Sequence, residues 1–193
     1  MFTLKGNMLT RGLIFCVACI ISSHLYASPS LELSEQLQIS AQAKVGQTLP
    51  FFAGWTVGGA RSQPTNLTSF LKKDAQRYVI TLCANWCDPC KKGLANLKAH
   101  EADFKQTKTE LLAFVSGSNE EAKALYGSHG ISWATFVVDR FGNYIPKLSG
   151  TGKESKENIQ LPRTFVLDSK GTILKIIGQE GKDFIDLVVG RKP

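Results

Sequence analysis

Continuous apolar runs predict the strands of this chain. Arg77–Ala84 reads RYVITLCA, a run rich in β-forming residues that is typical of a buried and often parallel strand. Leu111–Val115 and Thr135–Asp139 predict two further strands. Near the carboxyl end, Thr164–Asp168 and Thr172–Ile177 flank a Ser-Lys-Gly turn and predict a β-hairpin.

The segments between these runs carry helical signals. Asp88–Phe104 has apolar residues at helical spacing on one face, and Asp183–Val189 predicts a closing helix. Asn119 can cap a third helix, which Gly127 and Gly130 would end. Strands and helices in this order predict an α/β sandwich with a central mixed β-sheet flanked by helices.

The amino end has the pattern of a secretory signal. Lys5 and Arg11 give a positive start, Leu13–Ile21 is uninterrupted apolar sequence, and a short polar stretch ends at Ala27. The apolar run is too short to span a bilayer, which takes about 20 helical residues. The pattern favours a cleaved signal, and an uncut anchor is the alternative.

These signals predict three parts of the chain. Residues 1–27 are the signal peptide or anchor, 28–44 a linker forming an N-terminal extension, and 45–193 the folded domain. We expect the domain to be exported, and so periplasmic or otherwise extracytoplasmic. It would contact a membrane only if the amino end remains as an anchor.

The composition is that of a globular protein, with 43% apolar and 20% charged residues. The net charge of +7 is spread along the sequence. A nucleic-acid-binding protein more often carries a clustered basic stripe. We therefore interpret the basic excess as solvated surface and expect no nucleic-acid partner.

The cysteines are distributed unevenly. Cys16 and Cys19 belong to the predicted signal, which leaves Cys83, Cys87 and Cys90 close together in the domain. A structural disulfide framework would use an even number of cysteines spread along the chain. Three clustered thiols in an exported protein indicate redox chemistry or a metal.

The motif WCDPCKK places one cysteine where its thiolate is stabilised. Cys87 follows a predicted strand and falls at the start of a predicted helix, where free N–H groups and the helix dipole favour an anion. The thiolate is the form that attacks a disulfide. Cys90 lies one helical turn further and can resolve the mixed disulfide, and Pro89 fits the first helical turn.

The charges around the motif favour one redox direction. The Asp88 carboxylate disfavours a thiolate at Cys87, and Lys91 and Lys92 offset this effect in part. The reduced form would then be less acidic than in a strongly oxidising site. This balance favours a reductant.

The motif and its surroundings resemble the thioredoxin fold, and more closely the exported thiol–disulfide oxidoreductases of the TlpA/ResA group, which include cytochrome c maturation reductants. The likeness runs from Val45 to about Val189 and includes VGQ followed by PFF, WCDPCKK, and LPRTFVLD. The resemblance implies protein thiols and disulfides as substrates and a membrane-bound thiol reductase as electron donor. It implies no bound cofactor and no metal, because the dithiol itself carries the electrons.

The resemblance also implies a cis-proline facing the cysteine pair. Pro162 matches by context, because it directly precedes TFVLD, and the backbone of Leu161 would then pair with a substrate chain. Pro146 is a rival whose following residues do not match. Trp86 would pack over the site as a lid.

The sequence departs at several places from the patterns of the group and of thioredoxin. The group usually has Glu-x-Pro in the helix after the motif, where this chain has Gly93-Leu94-Ala95. Thr81 replaces the buried acid of thioredoxin, and Arg163 stands where Thr or Ser is common. These departures bear on proton transfer and on the partner.

Other interpretations of the cysteines stay open. Cys87 and Cys90 could form a structural disulfide, half of a zinc site, or the ligands of a copper or zinc carrier. The spacing of Cys83, Cys87 and Cys90 also matches the three-cysteine motif of radical-SAM iron–sulfur enzymes. Against that, the mature chain is short for their barrel. A thioredoxin-like scaffold without turnover is the last alternative, and Cys83 alone can be a buried apolar side chain.

Overall fold

The computed structural model describes residues 43–71, 74–150 and 159–191. The predicted signal over 1–27 and nearly all of the predicted linker over 28–44 lie outside the described residues. In the ranges that are described, no helix is both long and apolar enough to cross a bilayer.

The described residues alternate between strands and helices. The strands are β1 (Ala53–Val57), β2 (Pro64–Asn66), β3 (Arg77–Ala84), β4 (Thr109–Ser116), β5 (Thr135–Asp139), β6 (Arg163–Asp168) and β7 (Ile173–Ile177). The helices are α1 (Leu67–Leu71), α2 (Asp88–Ala99), α3 (Glu101–Gln106), α4 (Asn119–His129), α5 (Ile145–Leu148) and α6 (Phe184–Val189).

Within the described ranges, these strands form one mixed sheet in the order β2-β1-β5-β4-β3-β6-β7. Strands β3, β4 and β5 are parallel neighbours, and the other pairs are antiparallel. The predicted α/β sandwich with a mixed sheet is therefore confirmed.

The two faces of the sheet bury two separate apolar clusters. Along β3, Val79 and Cys83 face the cluster that includes the inner faces of α2, α4 and α6. Ile80 and Leu82 face the other cluster, which includes Phe52 and side chains of α1 and α5. The continuous apolar run of β3 follows from this arrangement, because a central strand covered on both faces has no side that meets water.

Two helix boundaries differ from the sequence prediction. The helix predicted over Asp88–Phe104 is interrupted at His100, whose backbone leaves the helical region and whose ring contacts the Asp103 carboxylate at 2.8 Å. The cap of α4 is Ser118 rather than Asn119. Ser118 and Glu121 form a capping box, in which each side chain contacts the other residue's backbone N–H.

Two further element boundaries also differ from those that the sequence suggests. Helix α4 continues through Gly127 and ends only at Gly130. The segment Leu148–Gln160, whose glycines and charges are typical of a loop, begins with the last residue of α5. Its middle, residues 151–158, lies outside the described part of the chain.

We expect Phe114→Ala to lower the free energy of unfolding by about 3–5 kcal/mol, because it empties a fully buried ring site in the centre of the sheet. The Phe114 ring lies 4.6 Å from that of Phe52, centroid to centroid. Urea unfolding at an unchanged m-value measures the loss. Leu174→Ala on β7 is the control, because Leu174 is 41% exposed. Equal midpoints for the two variants would contradict the proposed core.

Candidate active site

Several chain segments meet at one edge of the sheet. The parallel strands β3, β4 and β5 all end there, so the loops that follow them are neighbours. Strand β6 runs the opposite way and pairs Arg163 with Leu82. The loop before β6 therefore returns to the same edge, next to the motif that follows β3.

Cys87 and Cys90 form a disulfide at this edge, with their Cα atoms 5.2 Å apart. Cys87 is the N-cap residue of α2, and its sulfur accepts a hydrogen bond from the Cys90 backbone N–H at 3.2 Å. The predicted position of Cys87 at a helix N-terminus is confirmed. There, the free N–H groups of the first turn can stabilise a negatively charged sulfur.

The two sulfurs are less accessible than a surface redox pair would suggest. Cys87 is 4% exposed and Cys90 is 2% exposed, and both belong to the apolar cluster beneath α2. Trp86, beside them, is 60% exposed. The predicted role of Trp86 as a lid stays a prediction.

The charged residues of the motif form a local pair. The Lys91 ammonium lies 2.9 Å from the Asp88 carboxylate. This hydrogen bond and charge hold the pKa of Asp88 below its ordinary value, with a smaller contribution from Lys92. The acid next to Cys87 is thus ionised and already paired, as the opposing charges in the sequence suggested. Pro89 lies in the first turn of α2, as predicted.

The peptide bond between Leu161 and Pro162 is cis. This geometry matches the one that the family resemblance implied for Pro162. The rival Pro146 instead lies in the first turn of α5. Leu161 is half-buried and packs against both apolar clusters. Its predicted pairing with a substrate backbone stays a prediction.

The third thiol is not part of the disulfide, although it belongs to the same apolar cluster. Cys83 lies on β3, is 1% exposed, and its thiol donates to the Phe114 carbonyl at 3.8 Å. Burial raises the pKa of Cys83 to about 12, so this sulfur is a thiol at neutral pH. Among the described residues, no three His, Cys, Asp or Glu side chains are grouped as a metal site would need. The spacing that suggested a three-cysteine cluster therefore does not bring the three sulfurs together in this structure.

A cleft of about 530 Å³ adjoins Trp86 and was not predicted. Its walls come from the turn after β4 and the turn after β5, including Arg140 and the 65% exposed Phe141. The buried Asp139 carboxylate fixes the second turn by accepting backbone N–H bonds from Asn143, Tyr144 and Ile145. No local sequence signal marks this cleft, because its walls come from separate loops.

Sequence reasoning also missed Glu180, which lies in the loop between β7 and α6. Its half-buried carboxyl group packs against Gly93 on α2 and is hydrogen-bonded to the Asn96 side chain. The available signal was the glycine inside a predicted helix, because an interior glycine often marks a close approach by another group.

The profile described as the AhpC/TSA family matches residues 45–176. This chain belongs to the AhpC/TSA family. The match covers every strand of the sheet except the last residue of β7, and it includes the disulfide.

Solved structures of similar fold include both disulfide-exchange proteins and peroxiredoxins. A protein described as the thiol:disulfide interchange protein DsbE of Chlorobium tepidum is 18% identical, with a TM-score of 0.59 over 76% of this chain and 93% of that one. A thiol:disulfide interchange protein from Bacteroides sp. is 15% identical, with a TM-score of 0.59 over 77% and 90%. The peroxidoxin BcpB of Mycobacterium tuberculosis is 15% identical, with a TM-score of 0.61 over 77% and 95%.

These identities are low, so the structural likeness establishes the thioredoxin-like fold and nothing finer. A search of curated protein sequences gave no significant match. Family and fold together identify a thioredoxin-like protein with a CxxC pair, in a family of thiol-dependent redox proteins. The finer likeness to the TlpA/ResA group stays a prediction from the sequence.

We expect Asp88→Asn to lower the pKa of the Cys87 thiol by about half a unit. The substitution removes a negative charge near the sulfur, and unit charges about 4 Å apart in water interact by about 1 kcal/mol. The pH dependence of iodoacetamide alkylation, measured on a Cys90→Ala background, gives the value.

The matched control for this substitution is Lys91→Met, which leaves Asp88 without its partner. It should shift the Cys87 pKa upward. Shifts of the two variants in the same direction would contradict the proposed charge balance.

Proposed function

We propose that this protein is a thiol–disulfide oxidoreductase that exchanges the Cys87–Cys90 pair with disulfides of protein substrates. The observation that carries the proposal is the disulfide at the N-terminus of α2, at the edge of the sheet where β6 also begins. A structural disulfide needs no such position, whereas a nucleophilic sulfur gains from it.

The exchange proceeds in two balanced steps. The Cys87 thiolate attacks one sulfur of a substrate disulfide, forms a mixed disulfide, and releases the other substrate sulfur as a thiolate that takes a proton. The Cys90 thiol then loses its proton and attacks the Cys87 sulfur. This forms the Cys87–Cys90 disulfide and releases the second substrate thiol. Two electrons pass from the protein to the substrate.

The proposed direction is reduction of the substrate. Support comes from the ionised Asp88, which opposes the thiolate of the reduced form, and from the sequence likeness to the TlpA/ResA group. A role similar to that of cytochrome c maturation reductants would place the protein outside the cytoplasm, as the pattern at residues 1–27 suggests. A membrane-bound thiol reductase would then restore the dithiol.

Substrate trapping tests the proposed exchange. Cys90→Ala should accumulate mixed disulfides through Cys87, because the resolving thiol is missing. Cys87→Ser should trap nothing and reduce insulin no faster than the uncatalysed reaction. Mass spectrometry of non-reduced complexes identifies the trapped partners.

Cys83→Ala is the control for this experiment, because Cys83 is buried and lies on the strand below the pair. It should retain insulin reduction within about twofold. Full activity in Cys87→Ser would overturn the proposed nucleophile and with it the proposed function.

The redox direction has its own test. We expect a reduction potential closer to the value of about −270 mV for thioredoxin than to that of about −120 mV for the oxidant DsbA. Equilibration of the purified domain in dithiothreitol buffers of defined ratio, followed by alkylation, measures it. A potential near that of DsbA would make the protein an oxidant.

A further inference from the structure

Helix α2 accommodates an acidic side chain from another segment. Gly93 is buried in its interior, and a Cβ atom added there would overlap the Glu180 carboxylate, with Cδ only 2.9 Å away. Glu180 belongs to the loop that joins β7 to α6. The carboxyl group therefore occupies the space that any larger residue at position 93 would fill.

Gly93 is unfavourable for the helix itself. Glycine is much less favourable than alanine in a helix interior. The backbone of Gly93 is ordinary helix, so no special dihedral angle requires glycine there. Close contact with Glu180 is what the missing side chain allows.

This contact lies on the face of α2 that carries the resolving cysteine. Cys90 and Gly93 are three residues apart, and both are buried. Side chains at that spacing are neighbours on a helix surface, with about 5–6 Å between their Cβ atoms. A carboxylate in contact with Gly93 therefore lies about one helical turn from Cys90, on the same face of α2.

On the sheet beneath α2, the paired position of Thr81 and Thr164 carries hydroxyls and no acid. Thr81 on β3 and Thr164 on β6 are both buried, and their hydroxyls hydrogen-bond to each other at 3.0 Å. Each hydroxyl is thus already partnered. A threonine hydroxyl is also far too weak a base to take a proton from a thiol at neutral pH.

We propose that Glu180 accepts the proton of the Cys90 thiol, through one water, when Cys90 resolves the mixed disulfide at Cys87. The proposal rests on the exchange reaction proposed above. The Cys90 sulfur then bonds to the Cys87 sulfur, the bond from Cys87 to the substrate breaks, and the departing substrate sulfur leaves as a thiolate. The proton held by Glu180 passes back through water to that thiolate or to solvent, so the step is balanced.

The surroundings of Glu180 suit this role. Burial raises the pKa of Glu180, and the hydrogen bond to Asn96 offsets part of that rise. Besides the cysteine pair, the ionisable groups on α2 are Asp88, Lys91, Lys92 and Lys98, and the loop that holds Glu180 carries the exposed Lys182 and Asp183. A raised pKa brings a carboxyl group closer to neutrality, where it can both accept and release a proton.

The test measures resolution separately from the first attack. The reduced full-length protein is mixed with a peptide disulfide, quenched with acid at set times, and the mixed disulfide is counted by mass spectrometry from pH 6 to pH 9.5. Glu180→Gln keeps the shape of the side chain and its contact with Asn96 but removes the base. We expect resolution at pH 6–7 to slow at least about tenfold, since proton transfer by a positioned group contributes about 10²–10⁴-fold.

The pH profile distinguishes a proton acceptor from a structural role. The difference between Glu180→Gln and the unsubstituted protein should shrink to under about twofold at pH 9.5, where hydroxide can replace the carboxylate as proton acceptor. The alkylation rate of Cys87 should not change. A profile that is lowered equally at every pH, or not at all, would overturn the proposal.

Two further variants complete the experiment. Gly93→Ala keeps Glu180 but displaces its carboxyl group, and it should show the same loss at low pH even if Glu180→Gln does not fold. Asp183→Asn removes an exposed carboxylate of the same loop and should leave resolution unchanged. If the unsubstituted protein exchanges no disulfide at all, the proposed function fails as well. If the unsubstituted protein does exchange disulfides, and Glu180→Gln and Gly93→Ala resolve the mixed disulfide at the same rate, only the proposed role of Glu180 fails.

Discussion

The site depends on how β3 pairs with its two neighbours, because β4 runs parallel to β3 and β6 runs antiparallel to it. Parallel pairing with β4 places the cysteine motif at the carboxyl edge of the sheet. Antiparallel pairing with β6, in register from Arg77 with Asp168 to Leu82 with Arg163, brings the cis Leu161–Pro162 bond to that same edge. A slip of one residue in this register would turn the side chains of β6 to the wrong face of the sheet.

Groups close to the sulfurs have opposing electrostatic effects on the Cys87 thiolate. The N-terminus of α2 favours a thiolate at Cys87, whereas Asp88 opposes it and Lys91 neutralises much of Asp88. These groups are adjacent in sequence, so their sign could be argued before the structure was known. Because the Asp88–Lys91 pair is exposed to water, its effect on stability is small, and its effect on the neighbouring thiol matters more.

Features that depend on residues close together in the sequence could be predicted from the sequence. The apolar run of β3 was found with its observed bounds, and the position of Cys87 at a helix N-terminus followed from the strand and Pro89. The helix break at His100 and the cap at Ser118 were missed. Each is decided by a side-chain contact, and from the sequence alone a neighbouring residue is equally plausible in the same role. The cleft beside Trp86 joins distant loops, and no window of sequence contains it.

The contact between Gly93 and Glu180 shows why residue-by-residue transfer from relatives fails at some sites. The resemblance directs attention to the helix position after the motif, where this chain has no side chain at all. Yet the space beside that position holds a carboxyl group supplied from the other end of the domain. Glycine at this position costs α2 about 1 kcal/mol of intrinsic helix stability relative to alanine. The residue is therefore explained by its tertiary contact with Glu180 rather than by helix formation. Related sites are therefore better compared by the side chains that surround the sulfurs in the folded protein than by the sequence of the motif.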